Sequence, residues 1–323
     1  MASVTDSLRR LGNSGLAVST AGLGCNNLSR KGTATESLDG STAVVRAAID
    51  AGITLFDVAD IYGAPAGRSE EFLGKALGGD RDKVVIATKF GMDARGANGP
   101  DFGARGSRRY LQQAVEHSLR RLGTDWIDLY QMHQPDPDTP IDETLSALDD
   151  LVRAGKVRYL GSSNFSGWQL ADAAWTAQAN SRTPFISAQN EYSMLQRDVE
   201  AEVIAAAEAF GIGILPFFPL ANGLLTGKYT RDNAPADGRI TKLKPALLES
   251  APWEVLEALQ RFCDERGITM VQLAFGWLLA QPQVASVIAG ATTPEQVHAN
   301  AEAATAWEPT DADLAALDEI LPG

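Results

Sequence analysis

Eight short apolar runs recur along this 323-residue chain, and each is followed by a longer stretch with helical periodicity. The runs predict strands at 21–25, 54–57, 84–89, 126–132, 157–162, 186–190, 213–216 and 284–289. The periodic stretches predict helices at 41–51, 69–77, 108–122, 141–154, 167–179 and 199–210, then at 252–266, 271–280, 294–304 and 311–320. Alternation of this kind demands a parallel sheet. Eight repeats at this length favour a closed (β/α)8 TIM barrel, with an N-terminal β-hairpin over 11–24 and extra helices after strands seven and eight. An open doubly wound sheet is the competing fold, and no GxGxxG follows an early strand to support it. No composition break divides the chain, so a single barrel domain over 1–323 is expected.

Charge narrows the functional classes. The formal net charge is −13, so the basic footprint of nucleic-acid binding is missing. No run approaches the roughly 18–20 apolar residues of a membrane span. The two cysteines, Cys25 and Cys263, form no CxxC pattern, which suits reduced thiols in a cytoplasmic protein. Three scattered histidines without HxH or HExxH spacing argue against a zinc hydrolase.

In a barrel the carboxyl ends of the strands converge on one mouth, so the polar residues there are the informative ones. The second run ends at Asp57 within FDVADIYG (56–63), with Tyr62 five residues on. A carboxylate at the end of a buried strand is costly unless a cation pairs with it. Lys89 closes the third strand and His133 follows the fourth. Ser163 and Asn164 follow the fifth, and Gln189 ends the sixth. Taken singly, each has an ordinary reading as a cap, a turn former or a solvated side chain. Together they place an acid, a base, a phenol and an imidazole at one opening.

The set resembles that of the aldo-keto reductases. The likeness runs from the hairpin through GLG (22–24), FDVADIYG, ATKFG (87–91), DLYQMHQPD (128–136), GSSNFS (161–166) and AQNEYS (188–193) to PLANGLLTGKY (219–229) and VIAGATTPEQVHAN (287–300). It implies a catalytic tetrad of Asp57, Tyr62, Lys89 and His133, reducing a small aldehyde or ketone with hydride from NADPH, or from NADH as the alternative. An unperturbed tyrosine has a pKa of about 10, and the Lys89 cation is expected to lower it. Asp57 would hold Lys89, and His133 would orient the carbonyl oxygen. The cofactor carries the hydride chemistry while the protein supplies position and electrostatics.

The resemblance also assigns the cofactor site. Ser163, Asn164 and Gln189 match carboxamide-binding positions, and Phe217 stands where an aromatic residue stacks on the nicotinamide. Pro219, Leu220, Gly290, Thr292, Gln296 and Asn300 match the rest of the dinucleotide site. Phe218 departs from a common serine, and Gly290-Ala291 and Gln296 replace the Lys-Ser and Arg of better-known members. The helix start after Thr292 offers backbone donors for a phosphate, and Lys228 and Arg231 are candidates for a 2′-phosphate. Asn26, Asn27, Phe90, Met92 and Gln134 are expected to line the substrate pocket, bordered by the long loops 91–106 and 221–251. A non-catalytic nicotinamide-binding regulatory subunit of the same fold is the alternative function. A Schiff-base aldolase using Lys89 would leave the carboxamide set without a purpose.

Overall fold

The computed structural model describes residues 8–236 and 238–321. Strands β1 (Leu8–Arg10) and β2 (Ala17–Ser19) form an antiparallel ribbon, with Arg10 opposite Ala17. Eight parallel strands follow: β3 (Ala21–Gly24), β4 (Leu55–Asp57), β5 (Val85–Phe90), β6 (Ile127–Met132), β7 (Val157–Ser163), β8 (Phe185–Gln189), β9 (Gly213–Ile214) and β10 (Val287–Gly290). They pair in the order β10-β3-β4-β5-β6-β7-β8-β9. The outer edges meet through a parallel bridge between Ile214 and Val284. Three backbone bonds reinforce that seam: Ile214 N–H to Gln283 O at 2.7 Å, Ala285 N–H to Ile214 O at 3.2 Å and Ile288 N–H to Pro216 O at 3.1 Å. The strands therefore curl round on themselves in the (β/α)8 manner.

The flanking helices are α1 (Leu38–Asp50), α2 (Arg68–Leu77), α3 (Arg108–Leu122), α4 (Ile141–Arg153), α5 (Gly167–Ala179) and α6 (Val199–Phe210). Between β9 and β10 lie α7 (Arg239–Leu243), α8 (Ala246–Glu249), α9 (Trp253–Arg266) and α10 (Met270–Leu279), and α11 (Pro294–Ala306) and α12 (Asp311–Ile320) close the chain. The expected loop 221–251 thus holds two short helices, α7 and α8, besides a 3-10 segment at Ala221–Thr226.

Two cores result from the period-2 alternation of the strands. Leu55, Ala87, Leu129, Leu215, Ala285 and Ile288 point inward and pack with Leu11 and Val18 of the hairpin, which plugs the N-terminal end of the barrel. Residues of the opposite parity, such as Phe56, Ile86 and Tyr130, pack outward against the helices. One step further along β4, β5 and β6, the inward positions change from apolar to polar at Asp57, Lys89 and Gln131, and Gln189 joins them from β8. That change is where the candidate site begins.

Candidate active site

Lys89 has no exposed surface, and Asp57 is 3 % exposed. The Lys89 ammonium donates to Oδ1 and Oδ2 of Asp57, each at 2.7 Å, and to the Val58 carbonyl at 3.1 Å. Burial by itself lowers the lysine's pKa; Asp57 and Tyr62 outweigh it and hold Lys89 above its ordinary value. The strand-end acid therefore has the cationic partner its burial requires. It has two further donors, Gln189 Nε2 at 2.8 Å and Gln131 Nε2 at 3.3 Å, both onto Oδ1. Gln131 is absent from the sequence-derived set. Its only signal is a polar residue at the inward parity of β6, two positions before His133.

Tyr62 sits in the turn after β4, and Lys89 Nζ lies 5.2 Å from its ring centroid. Burial raises the phenol's pKa, and the Lys89 cation opposes that rise without cancelling it. The expected net lowering is therefore not seen; desolvation wins in this geometry. Gly63 has φ +95°, and a Cβ there would come within 2.6 Å of Ser29 Oγ and 2.8 Å of the Ser69 nitrogen. Glycine at this position lets the chain turn tightly behind the tyrosine. The Ser69 amide then donates to the Tyr62 carbonyl at 3.2 Å.

The His133 ring meets Tyr62 edge-on, with centroids 5.8 Å apart. Burial, aided by the Lys89 charge, pushes the imidazole well below its ordinary pKa. It is a neutral ring at pH 7, and its Nδ1 has no hydrogen-bond partner among the described residues. Its backbone is pinned by an amide donation to Phe90 O at 2.7 Å and by Asn164 Nδ2 donating to its carbonyl at 2.8 Å.

Ser163 Oγ donates to the Gln189 carbonyl at 2.8 Å, and the Asn164 amide nitrogen donates to the same oxygen at 3.0 Å. Asn164 has φ +59°, so its side chain leaves the strand end and stays exposed. Ser163, Asn164 and Gln189 are thus one bonded group. Phe217 lies beside Glu191 through a parallel bridge and meets Phe218 edge-on at 5.2 Å. Phe218 itself has φ +52°, with the Lys244 ammonium 5.4 Å from its ring. Pro219 and Leu220 lead from there into the 3-10 segment.

The far end differs from expectation in two respects. Gln296 Oε1 accepts from the Thr292 amide at 2.8 Å and the Thr292 hydroxyl at 3.1 Å, so the Thr292 backbone donor expected for a phosphate is already satisfied. Arg231 is paired with Glu257 at 3.1 Å, whereas Lys228 is exposed. Gly290 is also exposed, and its missing Cβ leaves room for Asn27 Nδ2. Asn300 is half-buried on α11.

Around the mouth, Asn26 is exposed and accepts from Arg30, and Gln134 is half-buried beside His133. Phe90 is a correction to the expected pocket wall. It follows Lys89 on β5 and so faces the helices, fully buried with its ring 4.7 Å from that of Tyr130. It offers a substrate no surface.

An ion-paired lysine thus stands beside a phenol and a buried imidazole at the carboxyl ends of barrel strands. The aldo/keto reductase family model matches residues 21–322, and the chain belongs to that family. It is 35% identical over 324 residues to the L-glyceraldehyde 3-phosphate reductase of Escherichia coli (strain K12), covering 96% of this chain and 91% of the relative. It is 39% identical over 321 residues to the uncharacterized oxidoreductase YrpG of Bacillus subtilis (strain 168), covering 97% and 95%. A probable voltage-gated potassium channel subunit beta of Oryza sativa subsp. japonica is 34% identical over 309 residues, covering 91% and 90%. Among the described residues no helix is long and apolar enough to cross a membrane, and no acid, histidine or cysteine group of metal-binding size occurs.

Proposed function

We propose that this protein is an NADPH-dependent reductase of small aldehydes or ketones, with Asp57, Tyr62, Lys89 and His133 as its catalytic residues. The buried Lys89–Asp57 pair facing Tyr62 carries this reading. A structural ion pair inside a barrel is poor value for stability, because desolvating both charges offsets most of their attraction. Its use is to set the phenol's chemistry. Tyr62 delivers its proton to the carbonyl oxygen, and the adjacent ammonium stabilises the phenolate left behind. Asp57 keeps Lys89 in place. His133, being neutral, donates a hydrogen bond to the same oxygen without competing as an acid.

The residues fit a nicotinamide. A planar carboxamide needs a donor and an acceptor together: the exposed Asn164 amide oxygen is an acceptor, and Gln189 Nε2, which gives one hydrogen to Asp57, has a second to donate. Bound there, the cofactor would supply the hydride. Ser163, Asn164 and Gln189 would orient it, Phe217 would shield its ring, and Pro219, Leu220, Gly290, Thr292, Gln296 and Asn300 would border its remainder. Lys228 is the better 2′-phosphate ligand, since Arg231 is engaged with Glu257. Asn26 and Gln134 border the substrate, with Phe90 left out. The chain works as one domain, in the cytoplasm.

Tyr62→Phe tests the assignment. It removes the proton donor and should lower kcat for 4-nitrobenzaldehyde at least about 100-fold, while NADPH binding, followed by fluorescence titration, stays within about threefold. Full kcat in that variant would end the proton-donor role. Tighter binding of NADH than NADPH would overturn the cofactor preference. The likeness to a potassium channel beta subunit keeps a regulatory role as the second reading; NADPH binding without turnover across a broad carbonyl panel would favour it.

A further inference from the structure

Behind the barrel wall, on the side away from the Lys89 ammonium, lies a second buried polar cluster. Asp60 and Glu70 have no exposed surface, and Arg121 is their only cation among the described bonds. Arg121 Nε bonds Glu70 Oε2 at 2.6 Å, and Thr88, next to Lys89, donates to Glu70 Oε1 at 2.6 Å. Arg121 NH2 donates to Asn98 Oδ1 at 2.9 Å, and Asn98 Nδ2 donates to Asp60 Oδ2 at 2.7 Å and to the Tyr110 hydroxyl at 3.1 Å. Gln113 donates to the Asn98 carbonyl. Asn98 belongs to the 91–106 loop, and Asp60 stands two residues before Tyr62. Asp60 also donates its backbone N–H to Lys89 O at 3.3 Å. Nothing in the proposed chemistry uses this cluster.

We infer that Asp60 is a positioning residue: through Asn98 it locks the turn carrying Tyr62 to the 91–106 loop and to helices α2 and α3. The inference rests on the reductase reading for its link to turnover. Charge balance sets the condition under which the lock holds. Two buried acids share one arginine, so the cluster is neutral only when one acid is protonated. Asp60 is that acid. Among the described residues its Oδ1 has no hydrogen-bond partner, and neither has the nearby Tyr130 hydroxyl. Burial first, then the Glu70 charge, raise its pKa to about 8 against the pull of Asn98, Arg121 and the Ile61 amide. The groups facing it are Glu70 from α2, Arg121 and Tyr110 from α3, Asn98 from the loop and Tyr130 from β6. Above that pH a second negative charge appears in the cluster, and the turn bearing Tyr62 loosens.

The test compares wild type with Asp60→Asn, which is isosteric and permanently neutral, and with Asn98→Ala, which cuts the link. With 4-nitrobenzaldehyde and NADPH, wild-type kcat should fall about tenfold from pH 7 to pH 9, as one group of this pKa titrates. The KM for NADPH should not change, and Asp60→Asn should keep kcat level over that range. An acid whose folded pKa is raised contributes stability that is present below its unfolded pKa of about 4 and is lost as pH rises to about 8. The melting temperature of wild type should therefore decline from pH 5 to pH 8 more steeply than that of Asp60→Asn. Amide exchange of residues 59–64 at pH 7 should quicken in Asn98→Ala. Identical melting slopes, or unchanged exchange, would overturn the clamp. Separate slopes and faster exchange without turnover in any form would uphold the clamp and end the reductase reading instead.

Discussion

Lys89 is the residue on which the site's electrostatics turn. Its ammonium is fully enclosed and is bonded to both Asp57 oxygens and one carbonyl. Lys89→Met preserves length and apolar stem but leaves Asp57 a buried carboxylate with Gln131 and Gln189 as its donors among the described residues. Removing one partner of a buried pair costs about 3–5 kcal/mol, readable as a lower urea midpoint at pH 7. Without the opposing cation the Tyr62 phenol rises further, so kcat should fall at least about 100-fold. A variant with wild-type turnover would dismiss the lysine from the chemistry. The paired double variant Asp57→Asn/Lys89→Met should recover part of the lost stability and none of the turnover. Asp57, Lys89 and His133 were legible in the sequence because each interrupts or ends an apolar run. Gln131 was not, since a glutamine between Tyr130 and Met132 reads as an ordinary strand residue until the inward parity of β6 is known. Asp60 was hidden because its partners come from Asn98 and Arg121, distant in sequence. The burial of Phe90 is not legible for a related reason: its neighbour's function says nothing about which face of the strand it occupies.

Among the elements, the long amphipathic helices were the most readable. The expected spans for α3, α5, α6 and α12 match the structure residue for residue. Strand ends were less so. β9 covers only Gly213–Ile214, because Pro216 has no N–H to extend the ladder, and β10 starts at Val287 instead of 284. Helices α7 and α8 have five and four residues, too few for any periodicity to show. The turn after β4 is the element where local sequence and site geometry meet. Gly63→Ala puts a methyl group into the Ser29 and Ser69 contacts at a positive φ, and either the backbone or Ser29 must move. The destabilisation should be about 1–3 kcal/mol. Because the displaced segment carries Tyr62, kcat should drop while affinity for NADPH holds. An equal loss of both would show that the turn supports the cofactor cleft as a whole.

Across the whole molecule, the two ends of the barrel carry different work. The carboxyl end gathers Asp57, Lys89, His133 and Gln189. The amino end is sealed by Leu11 and Val18 of the hairpin, and a further ionic knot, around Asp128, lies at the strand starts. Asp128 is 4 % exposed and accepts from the Ile86 amide at 3.0 Å and from the Trp126 indole at 3.2 Å. It pairs with Arg81 at 2.7 Å and Arg158 at 3.1 Å, and these two guanidinium groups lie over the Trp126 rings at 4.5 and 4.6 Å. The knot stitches β5, β6 and β7 together at their starts, where barrels keep stability and not chemistry. Asp128→Ala leaves the half-enclosed Arg81 unpaired and the Ile86 amide without its acceptor. It should cost about 3–5 kcal/mol, seen as a lower melting temperature, yet kcat/KM at a temperature where the variant stays folded should remain within about twofold of wild type. Lys89→Met should show the converse balance, with turnover lost far beyond its stability deficit. Should Asp128→Ala lose turnover as deeply, the ends of the barrel would be mechanically coupled, and stability and chemistry would not be separable along its axis.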